Sequence, residues 1–219
     1  MKNLFLAASV LALCLSACKN ENKATMETET IMATDTTATA TDSIETTETP
    51  MDSVAMQKAW EAYATPSEPH KMMAEDVGNW NNEMTFWMGE GGESVKATST
   101  AEINMILGGR YQETNYKGNV MDMPFEGKAT TAFDNATKET VSTWIDNMGT
   151  GMMVLRGKYD DATKAIISNG NMVDPMTGKE RQVREVFTIV DENTRKMEMF
   201  ETVAGGSEYK SMEIVMKRI

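Results

Sequence analysis

The sequence predicts an all-β domain, an antiparallel meander of roughly ten strands closed into a barrel, led in by two short helices. Three observations predict it. From Trp80 onward apolar and polar residues alternate in runs of about eight to eleven, the pattern of half-buried strands. Four of the breaks between runs look alike: Asp134-Asn135-Ala136-Thr137-Lys138, Asp160-Asp161-Ala162-Thr163-Lys164, Asp174-Pro175-Met176-Thr177-Gly178 and Asp191-Glu192-Asn193-Thr194-Arg195. Connections this short force neighbouring strands to run antiparallel, and a meander of about 140 residues suits closure on itself.

The chain divides into three parts. Residues 1–17 read as a secretory signal: Lys2 gives a positive start, and Leu4 to Leu15 is apolar. That stretch is shorter than the ~20 residues a bilayer span needs. It ends in Leu15-Ser16-Ala17-Cys18, which resembles the bacterial lipobox. The resemblance implies cleavage before Cys18 and acylation of Cys18, a membrane anchor worth about 0.8 kcal/mol per buried CH₂. The expected location is the cell envelope, at the periplasmic face or outer surface of an outer membrane. Cys14 would leave with the signal, so the mature chain would have no free thiol and no disulfide.

Residues 18–49 read as a disordered acidic tether, rich in Thr, Glu and Asp and without an aromatic side chain. From Lys19 to Met56 two basic residues face eight acidic ones, half of the chain's net charge of −12. Like charges extend such a segment. Asp35-Thr36-Thr37, Asp42-Ser43-Ile44 and Asp52-Ser53-Val54 are similar to a periplasmic O-glycosylation motif at Thr36, Ser43 and Ser53. A Thr- and Asp-rich linker also makes such triplets by composition alone.

Residues 50–219 form the predicted domain. Thr49-Pro50-Met51-Asp52 has the makings of a helix start, and Met56, Trp60 and Tyr63 then form one apolar stripe. The stripe is expected to pack on the domain's own core. Thr65-Pro66-Ser67-Glu68 starts a second helix carrying Met72 and Met73, which stops near Gly78. Strands are expected near 80–88, 94–106, 110–118, 125–133, 138–146, 151–159, 164–173, 180–190, 195–203 and 207–217. In the four similar turns the Asp carboxylate can accept from backbone N–H groups two or three residues on. Alternate turns of a meander lie at opposite ends. One end then gathers the tight turns, and the other a mouth of mostly longer loops carrying Met121, Met123, Met148 and Met176.

The residues disfavour several chemistries. A nucleophilic triad would have to use the single histidine, His70, which sits in a predicted first helical turn. Zinc and haem sites want more His or Cys than the mature chain has, so no metal and no cofactor is expected. Nucleic acid is disfavoured by an acidic domain. Methionine is abundant, 21 of 219 residues. Met121-x-Met123, Met152-Met153 and Met197-x-Met199 suit either a Cu(I) site or an adaptable core.

The domain resembles a family of bacterial proteins known as domain-of-unknown-function family 1579. The likeness runs from about Met56 to Arg218, on Gly78-Asn79-Trp80, Leu107-Gly108-Gly109-Arg110-Tyr111, Pro124-Phe125-Glu126-Gly127, Ser142-Thr143-Trp144-Ile145-Asp146-Asn147-Met148-Gly149 and Lys210-Ser211-Met212-Glu213-Ile214. The family brings no established activity. Gly78-Asn79-Trp80 with Lys217-Arg218 at the other end is also similar to the calycin superfamily of lipocalins and fatty-acid-binding proteins. That resemblance implies a structural pair, with Trp80 plugging the barrel floor and Arg218 stacked on it. The expectation is therefore a calycin-like barrel binding a small apolar or amphipathic ligand, with Arg110, Tyr111, Trp144, Asp146 and Arg184 as candidates to hold it. The alternatives are Met-based Cu(I) binding and a cavity-free interaction module.

Overall fold

A computed structural model describes residues 52–219, Ala204 excepted. Cys18, Thr36 and Ser43, with the signal and most of the tether, lie outside the described residues. The described residues belong to one compact unit.

Ten antiparallel strands close into a barrel: β1 (Gly78–Trp87), β2 (Ser94–Ile106), β3 (Tyr111–Val120), β4 (Met123–Asp134), β5 (Glu139–Asp146), β6 (Met153–Asp160), β7 (Ala165–Val173), β8 (Glu180–Asp191), β9 (Thr194–Val203) and β10 (Glu208–Arg218). Each pairs with its neighbours in sequence, and β10 pairs with β1. The turn chemistry explains the boundaries. Asp134, Asp160, Asp174 and Asp191 each accept from the backbone N–H two residues on, at 2.8–2.9 Å. These bonds hold all four carboxyls below the ordinary aspartate range.

The helical lead-in differs from expectation. α1 (Ser53–Ala64) and α2 (Glu68–Ala74) are separated by only three residues and act as one interrupted element. The cap of α1 is Asp52, whose carboxylate accepts from Ala55 N at 2.8 Å. α1 buries none of its residues, and Val54, Met56, Trp60 and Tyr63 remain exposed. Its stripe is not packed on the core, because α2 already occupies the floor. α2 buries His70 and Met73, and Gln112 of β3 donates to Met73 O at 2.8 Å.

The core is two clusters of inward side chains, with the partly buried Met197 and Met212 packed against both. Trp80, Met84, Ala101, Ile103, Val120, Phe125, Ile214 and Met216 form its larger cluster. Leu155, Val183 and Met199 form a second. The floor is built around Trp80, which is fully buried and donates from its indole N–H to Asp76 O at 2.8 Å. The Arg218 guanidinium lies 4.3 Å from the Trp80 ring and Arg195 lies 5.4 Å from it. Gly78 is required here: its φ is +135°, and a Cβ would come within 3.1 Å of Arg218 Nη1. The floor also buries an ion pair, Arg195 Nε to Asp76 Oδ1 at 2.7 Å. Burial pushes Asp76 above the ordinary range, and Arg195 pulls against that shift.

At the opposite end the mouth loops differ from expectation in one place. β3 and β4 are joined by Met121 and Asp122 alone, with φ of 52° and 61°. Positive φ at both central residues of a two-residue hairpin is the geometry that matches strand twist. The loops at 88–93, 147–152 and 174–179 are longer, and Met88, Met148, Met152 and Met176 are exposed on them.

Candidate functional site

The inward faces of β3, β5 and β8 bring together the groups with most chemical potential. Strand register fixes which side chains these are. Glu185 pairs across with Ser168 and Met199, in the inward row Val183, Glu185, Phe187. On β3 the inward row includes Thr114, Tyr116 and Val120, and on β5 it includes Ser142, Trp144 and Asp146.

Glu185 lies deep in the barrel, where burial pushes its carboxyl up to about 7. Tyr116 is equally deep, and its hydroxyl is raised by burial first and then by the charge of Glu185. Yet neither side chain is sealed. Both retain partial exposure to a water-sized sphere, as do Trp144, Phe187, Met197 and Met212 around them. A deep position with residual accessible surface is what interior space open to a small molecule would give. Among the described residues no hydrogen bond reaches the Glu185 carboxyl or the Tyr116 hydroxyl. Asn82, lower in the barrel, donates to Ser99 Oγ at 3.0 Å, but its own Oδ1 is buried without a partner.

The aromatic wall is fixed in place. The Trp144 indole N–H donates to Asp146 Oδ2 at 2.7 Å, and Asp146 Oδ1 accepts from Met148 N at 2.9 Å. Phe125 stacks on Trp144 at 6.2 Å, and Tyr116 packs against it in a T-shaped pair at 5.2 Å. Gly127 makes room for this ring: a Cβ there would sit 2.5 Å from the indole.

Above this space Arg181 holds the mouth. Its guanidinium bonds Asp174 on the β7–β8 loop, Glu201 at 2.9 Å and the Tyr209 hydroxyl at 3.4 Å. The bonds to Glu201 and Asp174 raise Arg181, and Asp174 is lowered by the Met176 N–H first and then by Arg181. A recess of about 460 Å³ opens beside them, between Trp87–Glu90 and Gly206–Tyr209. Ser207 Oγ donates to Glu90 Oε1 across it at 2.8 Å.

The structure brings two of the five ligand candidates together. Trp144 and Asp146 share the inner wall near the mouth. The other three do not face the interior. Arg110 and Tyr111 are exposed at the tight-turn end. Arg184 is on the outer wall, paired with Glu208 at 2.6 and 2.8 Å and lying 4.0 Å from the Phe200 ring. Parity is the physical reason: Gln112 and Glu185 take the inward positions, so their neighbours Tyr111 and Arg184 point out. Ser53 is exposed in the first turn of α1.

His70 closes the end of α2 rather than a catalytic set. Its Nδ1 accepts from Ser67 N at 2.9 Å, and its ring meets Phe133 edge-on at 5.9 Å. Burial, and then the charge of Arg110, hold it below the ordinary imidazole range. Of the Met pairs, Met197 and Met199 both point inward and pack with Leu155 and Val183, whereas Met121, Met123 and Met152 are exposed at the rim. Among the described residues no cluster of three or more His, Cys, Asp or Glu is placed to hold a metal.

A family model described as Protein of unknown function (DUF1579) matches residues 65–218. No curated protein matches the chain. An S-type phycobiliprotein lyase from Guillardia theta is similar in structure, with TM-score 0.48 and 8% identity, over 74% of this chain and 96% of that one. A redesigned β-barrel is similar with TM-score 0.34 and 13% identity, over 67% of this chain and 94% of that one.

Proposed function

The chain belongs to the family of Protein of unknown function (DUF1579), and from that premise we propose that it is an envelope protein whose barrel binds a small apolar or amphipathic molecule. The observation that supports this is the residual accessible surface of Tyr116, Trp144 and Glu185 on the inward wall of the barrel, among aromatic and Met side chains. Small-molecule sites are mostly apolar with a few placed polar groups, and Met walls adapt to ligand shape. The rim at Arg181, Asp174 and Tyr209 is the proposed entrance. Arg181 would open it by releasing Asp174 and the β7–β8 loop.

The binding test is native mass spectrometry of the chain from residue 18 with Cys18→Ser, purified without detergent from a bacterial periplasm. A discrete excess mass, lost on denaturation, is the expected result. A bare polypeptide mass, unchanged by added lipids, would count against a binding barrel.

The proposed setting is a lipid anchor on Cys18, carried by the acidic tether. Metabolic labelling with an alkyne palmitate should mark the wild-type chain and not Cys18→Ser. Equal labelling of both would remove the anchor from this reading. The intact mass of the tether from its own host tests sugar on Thr36, Ser43 and Ser53 in the same way.

A further inference from the structure

We propose that the molecule held in this barrel carries a basic nitrogen, which pairs with the carboxylate of Glu185. The proposal rests on the binding reading above and names the chemistry of its ligand.

Charge placement argues for it. Glu185 is an interior acid with no salt-bridge or hydrogen-bond partner among the described residues. The inner face does carry arginines, but each is already engaged. Arg181 is taken by Asp174 and Glu201 at the rim. Arg195 is taken by Asp76 beneath the floor. Arg218 donates to the carbonyls of Glu75 and Val77 and covers Trp80. A ligand carboxylate entering this space would therefore meet no uncommitted cation, and it would stand near a second carboxyl group. Two acids sharing a site oppose each other's ionisation.

An amine has the opposite fit. It neutralises Glu185 through a charge-assisted hydrogen bond, the stronger kind. Its remaining N–H groups need acceptors, and the Tyr116 hydroxyl, also inward and without a hydrogen-bond partner among the described residues, is a candidate. Trp144 suits a cation as well: its indole N–H is spent on Asp146, so the ring has a π face to offer rather than a donor. Burial favours the neutral acid in the empty barrel. Bringing an ammonium beside it restores the charged form, so the binding step itself supplies the missing partner.

The test compares three probes of equal chain length on the full chain without lipid (Cys18→Ser): dodecylamine, dodecanol and dodecanoate, by titration calorimetry at neutral pH. The amine is expected to bind about ten-fold or more tighter than the alcohol, the size of one charge-assisted bond, and dodecanoate least. Glu185→Gln is expected to bring the amine down to the level of the alcohol. A near-ultraviolet circular dichroism spectrum matching the parent shows that this variant is folded. Equal affinity for amine and alcohol, tightest binding of dodecanoate, or an amine affinity that survives Glu185→Gln would overturn the proposal while leaving the binding barrel intact. Binding of none of the three to the parent chain would overturn the binding reading, and this proposal with it.

Discussion

Glu185 offers a direct readout at the scale of one residue. Burial lifts it from an ordinary 4.5 to about 7. Between those pH values the native chain holds a proton that the unfolded chain has released. Stability from this group is therefore complete below pH 4.5 and declines as pH rises to about 7, by up to about 3 kcal/mol for a shift of this size. Glu185→Gln removes the decline. Urea unfolding of the two proteins is expected to coincide near pH 4.5 and to favour the variant above pH 7. A constant difference across that range would mean that Glu185 is not the titrating group. The floor makes a second prediction. Asp76→Asn leaves Arg195 buried without its counter-charge, and losing one partner of such a pair costs about 3–5 kcal/mol. Replacing both residues with apolar ones of similar volume is expected to restore much of that loss. Gly127→Val makes a third, driving a side chain into the Trp144 indole. Its near-ultraviolet circular dichroism should change even if the far-ultraviolet spectrum does not.

At the scale of the element, the strands were legible and their faces were not. All ten observed strands begin and end within about two residues of expectation, because side-chain–backbone bonds in the Asp turns are local and leave a local signature. Inside and outside are set by non-local packing. In Val183-Arg184-Glu185-Val186 each parity holds one aliphatic and one charged residue, so alternation cannot choose between them. The structure turns Glu185 inward and Arg184 outward, the reverse of the candidate choice. The same limit applies to α1. Its spacing announces an apolar stripe, but only the occupied floor explains why the stripe stays exposed. What holds α1 is Asn135 in the β4–β5 turn, which donates to Tyr63 O at 3.0 Å and Thr65 O at 2.8 Å. Asn135→Ala is expected to speed amide hydrogen exchange across α1 while leaving the barrel strands protected. Faster exchange throughout the barrel would assign Asn135 a wider role.

At the scale of the whole molecule, closure follows from pairing the two ends of one meander. β1 bonds to β2 on one side and to β10 on the other, Trp80 opposite Arg218 and Phe86 opposite Met212. The finished barrel has no free strand edge, which removes the usual template for edge-to-edge association. The path to that state is less protected. The first strand to leave the ribosome waits with a bare margin until the last one arrives, and closing so long a loop costs entropy before any contact repays it. Every shorter chain is an open ribbon with two adhesive borders. A message truncated before Glu208 would therefore yield no weakened barrel; its product is expected in aggregates or in the hands of proteases. Quality control of this domain thus falls on its last strand, eleven residues long, whose arrival converts a hazardous sheet into an inert one.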